Sequence, residues 1–370
     1  MAISTRLGGG GGGGRRHQPS LLQRHQGRWR YNRFPKLKFS GSRKSFRYII
    51  IILAIIALLP PIFFHFKLRR LHQTQVKKCG WLNDPPLVCA HGGDSFNAFP
   101  NTMAAYHLAL RSKVDCIEID VSRSKDGVLF ALHDRDLQRL TGDNTSKVGH
   151  LSMKEIKELG VHHQSAQDFH NHTVPTIEEA LMLVSSSVQQ VILDAKVGPP
   201  SYEKGLAKDI LAVVERLQCQ NCLIWAKSDN LARDIIKLKS NVMVGYIVMV
   251  DPDTGIKMKL LRMKDAGVVG VYHPLIDEKL VAILHRFELH SKPCIILRTQ
   301  TIVMIMIISE HVYRRKKKVY AWTVDDVDSM RKLLFEHVDA VVTNNPSLLQ
   351  QLMQDIRTEC REEGFSLPRR

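Results

Sequence analysis

The chain has 370 residues, 44% hydrophobic and 24% charged, with a formal net charge of +17 and seven cysteines. Of its 53 lysines and arginines, 17 fall in residues 1–78, which hold none of the 36 acidic residues, so residues 79–370 balance 36 basic against 36 acidic side chains. That segregation excludes a nucleic-acid-binding core, whose basicity would lie on the globular part, and seven cysteines over this length do not make a disulfide scaffold.

The basic arm divides into three. Residues 1–45 carry a glycine run from Gly8 to Gly14 and many basic side chains, a composition that predicts disorder. Phe46 to Phe66 is apolar except at its ends, long enough for one helical crossing of a bilayer at roughly 20 residues. Residues 67–85 read as a basic stalk and linker. Residues 1–47 carry 12 basic side chains and residues 67–78 carry five, a bias that predicts a cytoplasmic N-terminus and a lumenal or extracellular C-terminal domain. The sequons at Asn144 and Asn171 fit that placement. A cleaved signal sequence and an Arg-rich organelle transit peptide are the alternatives.

From residue 86, short β-branched runs alternate with amphipathic helical segments. The predicted strands are Leu87–Ala90, Cys116–Val121, Val191–Lys196, Leu223–Ala226, Val242–Val248, Val268–Tyr272, Val319–Thr323 and Ala340–Thr343. Helices are predicted between most of them, as at Thr102–Ser112, Tyr202–Leu217, Leu231–Lys239, Asp277–Phe287 and Val327–Glu336. Eight strands in this alternation predict an α/β fold, a (β/α)8 TIM barrel over 86–355, with 356–370 as a C-terminal tail. An open doubly wound sheet is the alternative, but no glycine-rich phosphate loop follows the first strand. Cys89 and Cys116 read as core residues, and Cys219 with Cys222 as either a local disulfide or a reduced pair. His162, His163, His170 and His172 crowd a polar loop, read as solvated rather than zinc-binding. About 30 residues separate the helix ending near Phe287 from Val319, far more than such a connection needs. The apolar run Ile302–Ser309 within them is predicted to be poorly ordered.

A barrel gathers its chemistry at the C-terminal ends of its strands. His91 ends the first predicted strand. Glu118 and Asp120 lie two apart on the second, so they share a face. Asp126-Gly127 is a turn signal that folds Val128–Leu132 back and brings His133 toward them. Asp194 and Lys196 share a face near the end of the third strand, Lys227 follows the fourth, His273 the sixth, and Trp322 lies in the seventh. Three carboxylates suit a hard divalent cation, Mg²⁺ or Ca²⁺. Two histidines can move a proton in and out, and a lysine can offset phosphate charge. The set points to metal-assisted phosphodiester cleavage.

These residues also carry a family resemblance. His91-Gly92-Gly93 followed by Asn101-Thr102 resembles the HRG…PENT signature of glycerophosphodiester phosphodiesterases. Glu118-Ile119-Asp120 resembles its ExD, and His133-Asp134 with Leu137 and Arg139 its HDxxLxR. Val174-Pro175-Thr176 with Glu178-Glu179 is similar to its PTLEE segment, Asp194-Ala195-Lys196 to its ExK, and Ala321-Trp322-Thr323-Val324 to its late WTV strand. The resemblance implies a barrel enzyme that cleaves glycerophosphodiesters to sn-glycerol 3-phosphate and an alcohol, using a divalent cation. It implies His91 and His133 as the acid–base pair, Glu118, Asp120 and Asp194 as metal ligands, and Lys196 as a phosphate contact, with Trp322 in the substrate wall. It also implies that a glycerol hydroxyl attacks phosphorus and that a cyclic phosphate is then hydrolysed.

Three departures from the family pattern stand out. Its arginine is Gly92, its PENT proline and glutamate fall at Phe99 and Pro100, and its ExK glutamate is Asp194, one methylene shorter. The first two changes remove opposite charges together, so neither is stranded. The expected partners are a small glycerophosphodiester and a membrane reached through one transmembrane helix, with no nucleic acid and no obligate protein partner. A headgroup-binding module of weak catalysis and a phosphodiesterase acting on intact lipid are the alternatives.

Overall fold

The computed structural model describes residues 43–134, 136–137, 143–162, 174–239, 241–252, 254–285 and 316–365. By internal contacts the chain forms two compact units, Met1–His65 and Phe66–Arg370. Most of the predicted disordered arm, most of the histidine-dense loop including Asn171, and the Ile302–Ser309 run lie outside the described residues.

Helix α1 spans Arg43–Cys79 and contains Pro60 and Pro61. Its apolar side chains from Phe46 to Phe66 are exposed, and it is long and apolar enough to cross a membrane. The stalk expected over 67–85 is corrected: with no breaker between Phe66 and Gly80, the helix runs on to Cys79. A 3-10 turn over Gly80–Asn83 follows, burying Trp81. Lys77 and Lys78 end the helix, where ammonium groups complement the C-terminal carbonyls.

In the second unit, eight parallel strands close a barrel. They are β1 (Leu87–Ala90), β2 (Cys116–Arg123), β6 (Gln190–Ala195), β7 (Cys222–Ala226), β8 (Met243–Val248), β9 (Val268–Tyr272), β10 (Lys318–Trp322) and β11 (Ala340–Thr343). β1 pairs with both β2 and β11, which completes the ring. All eight predicted strands are present to within about two residues, because β-branched runs buried on both faces can form little else. β3 (Leu129–Ala131) adds antiparallel to β2, and β4 (Asp136–Leu137) pairs with β5 (Asp143–Lys147) apart from the barrel.

Helices α2 (Met103–Arg111), α3 (Met153–His162), α4 (Ile177–Val184), α5 (Leu206–Arg216), α6 (Asp229–Leu238), α7 (Glu278–His285), α8 (Val327–Phe335) and α9 (Pro346–Glu362) follow their strands. Strand alternation divides the core in two. On β2, Ile117, Ile119 and Val121 pack outward with the helices. Cys116 turns inward with Cys89, Ile192, Leu223, Trp225 and Tyr320. Glu118 and Asp120 continue that inward face, so the polar layer of the barrel interior lies directly above an apolar one.

Local chemistry sets the helix starts. Thr102 Oγ1 accepts from Ala105 N–H at 3.2 Å and caps α2. Thr176 and Glu179 form a reciprocal capping box at α4, with Thr176 N–H donating to Glu179 Oε2 at 2.7 Å. Such a cap stabilises by about 1 kcal/mol. The PTLEE-like segment is therefore architecture: Pro175 O also accepts from Ala131 N–H at 2.9 Å, tying α4 to the hairpin that carries His133.

The cysteines correct two expectations. Cys89 and Cys116 are fully buried as expected, but they are also bonded to each other across neighbouring strands. Cys219 and Cys222 form a local disulfide. Cys79 bonds Cys360 across a separation of 281 residues. The segment expected as a tail from 356 is thus the end of α9, with Ile356 and Cys360 buried. Lys78 adds ion pairs to Glu359 at 3.0 Å and Glu363 at 2.6 Å.

Candidate active site

The inward layer above Cys89 and Cys116 holds the titratable residues. His91 follows β1 directly. Glu118 and Asp120 occupy the inner face of β2, and Asp194 is the register partner of Asp120 on β6. Lys196 follows β6, His133 follows β3, and Trp322 closes β10. His91, Glu118, His133, Asp194, Lys196 and Trp322 all line one cavity of about 90 Å³. Asp120, 1% exposed, lies against it. The structure thus brings together the seven residues read from the sequence as catalytic, substrate-contacting or metal-binding. Lys227 joins the lining, with Nζ 5.6 Å from the Trp322 ring centre. His273 instead stacks edge-on with Tyr272, where burial lowers its pKa.

Glu118, Asp120 and Asp194 are all buried, and one oxygen from each lies within 4.8 Å of the others. Lys196 Nζ is 2.7 Å from Asp120 Oδ1 and also bonds Asp194. Burial opposes ionisation of Asp120, but Lys196, His91 and His133 outweigh it and hold this carboxyl below the usual range. Burial pushes Glu118 the other way, and the negative charges of Asp120 and Asp194 add to the rise. On Lys196, burial is outweighed by the three carboxylates, which raise it.

A divalent cation fits this set. Glu118 Oε2 and Asp194 Oδ1 are buried and have no hydrogen-bond partner among the described residues. Three carboxylates against one lysine leave excess negative charge in a low-dielectric site, and hard oxygen donors are what Mg²⁺ and Ca²⁺ take.

The histidines stand close, with ring centres 6.4 Å apart. His91 Nε2 is 3.6 Å from Glu118 Oε2, and Nδ1 is 2.8 Å from Asn344 Oδ1. Burial disfavours its charge, but Glu118 and Asp120 prevail and raise its pKa. His133 Nδ1 is 2.9 Å from Asp134 Oδ1.

Asn101, part of the PENT-like motif, and three residues without a motif signal, Tyr106, Asp325 and Asn344, support the site. Asn101 Nδ2 donates to Asp120 Oδ2 at 2.6 Å, and Asp120 N–H returns a bond to Asn101 Oδ1 at 3.0 Å. Tyr106 Oη donates to the same oxygen at 3.2 Å. Asn344 and Asp325 stand behind His91. The available signal was position alone: Thr343-Asn344 ends the last barrel strand, where polar residues deserve a functional reading.

The departures at 92 and 100 meet in space. Gly92 has φ +63°, and a Cβ there would lie 3.0 Å from Pro100 Cβ. Asn101, itself at φ 61°, donates its N–H to Gly92 O at 2.7 Å. This turn carries the amide that grips Asp120.

The glycerophosphoryl diester phosphodiesterase family model matches residues 91–348. The chain is 58% identical over 326 residues to the glycerophosphodiester phosphodiesterase GDPD4 of Arabidopsis thaliana, covering 88% of this chain and 91% of the relative. It is 24% identical over 269 residues to the glycerophosphodiester phosphodiesterase of Caldanaerobacter subterraneus, covering 72% and 98%. Among solved structures, an Oleispira antarctica phosphodiesterase in complex with the product sn-glycerol-3-phosphate superimposes with a TM-score of 0.52 at 22% identity, over 73% of this chain and 97% of that one. A glycerophosphodiester phosphodiesterase from Parabacteroides distasonis gives a TM-score of 0.53 at 15% identity, over 75% and 99%. At these identities the structures speak to the barrel fold. The family match and the 58% relative go further: this chain belongs to the glycerophosphoryl diester phosphodiesterase family.

Proposed function

We propose that this protein is a metal-dependent phosphodiesterase that hydrolyses glycerophosphodiesters to sn-glycerol 3-phosphate and an alcohol. The observation that carries the proposal is the convergence of three buried carboxylates, two histidines and a lysine on one cavity. Glu118, Asp120 and Asp194 would hold Mg²⁺ or Ca²⁺, which when bound supplies charge stabilisation at the phosphoryl oxygens. Lys196, 8% exposed between Asp120 and Asp194, supplies fixed positive charge beside the phosphate. His91 and His133 act as the proton-transfer pair: one accepts the proton of the attacking hydroxyl and the other protonates the leaving alkoxide. Trp322 offers an apolar ring to the glycerol carbons, and Lys227 brings a second cation to that wall.

The membrane context is part of the proposal. Helix α1 serves as the anchor, with the N-terminus cytoplasmic and the barrel lumenal or extracellular. The three disulfides among the described residues support an oxidising compartment. Among the described residues, no feature of the cavity favours the headgroup-binding or intact-lipid alternative.

Cation binding should be pH-dependent in a defined direction. Glu118 holds its proton to higher pH than an ordinary carboxyl, and it must lose that proton before it ligates. Cation affinity is therefore expected to fall as pH is lowered between about 8 and 5.5, with proton release on binding. Titration calorimetry with Mg²⁺ and Ca²⁺, in two buffers of different ionisation enthalpy, checks both. Buffer-independent enthalpy with affinity flat across that range would count against these ligands.

A further inference from the structure

Asp325 and Asn344 lie just beyond the C-terminal ends of β10 and β11, and neither is among the residues that line the cavity. Asp325 accepts three hydrogen bonds from the end of β11. Asn344 N–H donates to Oδ1 at 2.8 Å, Asn344 Nδ2 donates to Oδ2 at 2.6 Å, and Thr343 Oγ1 donates to Oδ1 at 3.1 Å. An ionised carboxylate only accepts, so the Asn344 amide must turn its NH2 toward Asp325 and its oxygen away. That oxygen is the atom 2.8 Å from His91 Nδ1. An amide oxygen also only accepts, so Nδ1 carries the hydrogen. The lone pair is left on Nε2, the nitrogen turned toward Glu118. Backbone bonds fix both ends of this chain: His91 N–H donates to Thr343 O at 2.9 Å, and Phe96 N–H to Asn344 O at 3.0 Å.

We infer that Asp325, acting through Asn344, sets the tautomer and ring orientation of His91 so that Nε2 is its proton-accepting atom. Both are positioning residues. His133 is wired differently, with its Nδ1 directly on the carboxylate of Asp134. At His91 the interposed amide fixes the tautomer without placing a full charge against Nδ1. The functional weight of the inference rests on the phosphodiesterase reading, which gives His91 its role; the tautomer itself does not.

The test uses the full-length chain. Asp325→Asn removes the acceptor-only group, so the Asn344 amide can rotate, present Nδ2 to His91, and move the ring proton to Nε2. Its kcat is expected to fall about 10–100-fold, the usual loss when a group orienting a functional histidine is removed, with KM changed less than about twofold. Asn344→Asp sets two carboxylates against each other and should fall by a similar factor. The double variant Asp325→Asn/Asn344→Asp restores the order, because the amide at 325 then donates to the carboxylate at 344, which accepts from Nδ1. It is expected to recover most of kcat, a rescue that a merely structural role would not give.

Long-range proton–nitrogen correlation NMR on histidine-labelled wild type reads the tautomer without turnover, with the His91 signals assigned by their loss in His91→Ala. Hydrogen on Nδ1 is expected. A wild-type His91 protonated only at Nε2, folded single variants with undiminished kcat, or a double variant no better than the singles would overturn the inference. An inactive wild type would count against the phosphodiesterase reading alone.

Discussion

Replacing His133 with alanine is expected to lower kcat by about 10²–10⁴-fold, the range for a lost general acid or base. His91→Ala should lose a comparable factor. Both rings line the cavity, 6.4 Å apart, and both approach carboxylates that can stabilise the imidazolium form. If they form a pair, each variant loses one limb of a bell-shaped pH–rate profile and the double variant is barely worse than the poorer single. An alcohol that leaves readily as its anion needs no protonation, so it should restore activity to whichever variant lacks the acid. A coupled assay for glycerol 3-phosphate measures all of this. A His133→Ala enzyme within about tenfold of wild type would remove His133 from the chemistry.

Lys196→Met carries the second large effect, on stability and activity together. Lys196 is almost fully buried and holds Asp120 and Asp194. Removing it leaves three buried carboxylates without their lysine, and breaking such a set costs about 3–5 kcal/mol. The metal-free variant should unfold at correspondingly lower denaturant concentration. A divalent cation takes over the charge balance, so Mg²⁺ or Ca²⁺ should raise the stability of Lys196→Met more than that of wild type. Activity should stay low, because the fixed charge beside the phosphate is gone. Equal stabilisation of both proteins by the cation would argue that the carboxylates do not hold it.

The barrel was legible because its signal is periodic and local. The runs at Val268–Tyr272 and Ala340–Thr343 match the observed strands residue for residue. Their β-branched side chains are buried on both faces, and nothing distant is needed to recognise them. The site was legible for a related reason: Glu118 and Asp120 share a face on any strand, and Asp126-Gly127 turns the chain back so that His133 must approach them.

Features set by long-range register were not legible. Cys89 and Cys116 can bond only because β1 and β2 are neighbours in register, which strand propensity does not state. The Cys79–Cys360 bond joins segments that nothing in the sequence brings together. Its two ends explain why both the expected stalk and the expected tail are folded: each is the end of a helix pinned to the other. The hydrogen-bonded pair of Asp325 and Asn344 was hidden because polar residues at strand ends look like solvated turns until their distances are known.

Gly92 and Pro100 read as paired losses of charge, and their contact gives that pairing a steric side. With φ at +63° and Pro100 against it, position 92 suits glycine. The turn they shape delivers Asn101 to Asp120. The family's guanidinium is absent at position 92, and the turn there instead gives rigid support to one metal-ligand candidate.

One assay separates a divalent-cation-dependent glycerophosphodiester phosphodiesterase from the alternatives. The full-length chain is stripped of metal with chelator, and release of glycerol 3-phosphate from glycerophosphocholine is followed as Mg²⁺ or Ca²⁺ is restored. Release is expected with either cation or both, with negligible release in chelator and loss in Asp120→Asn at every cation concentration. Release that persists undiminished in excess chelator, or no release from any glycerophosphodiester with either cation, would contradict it.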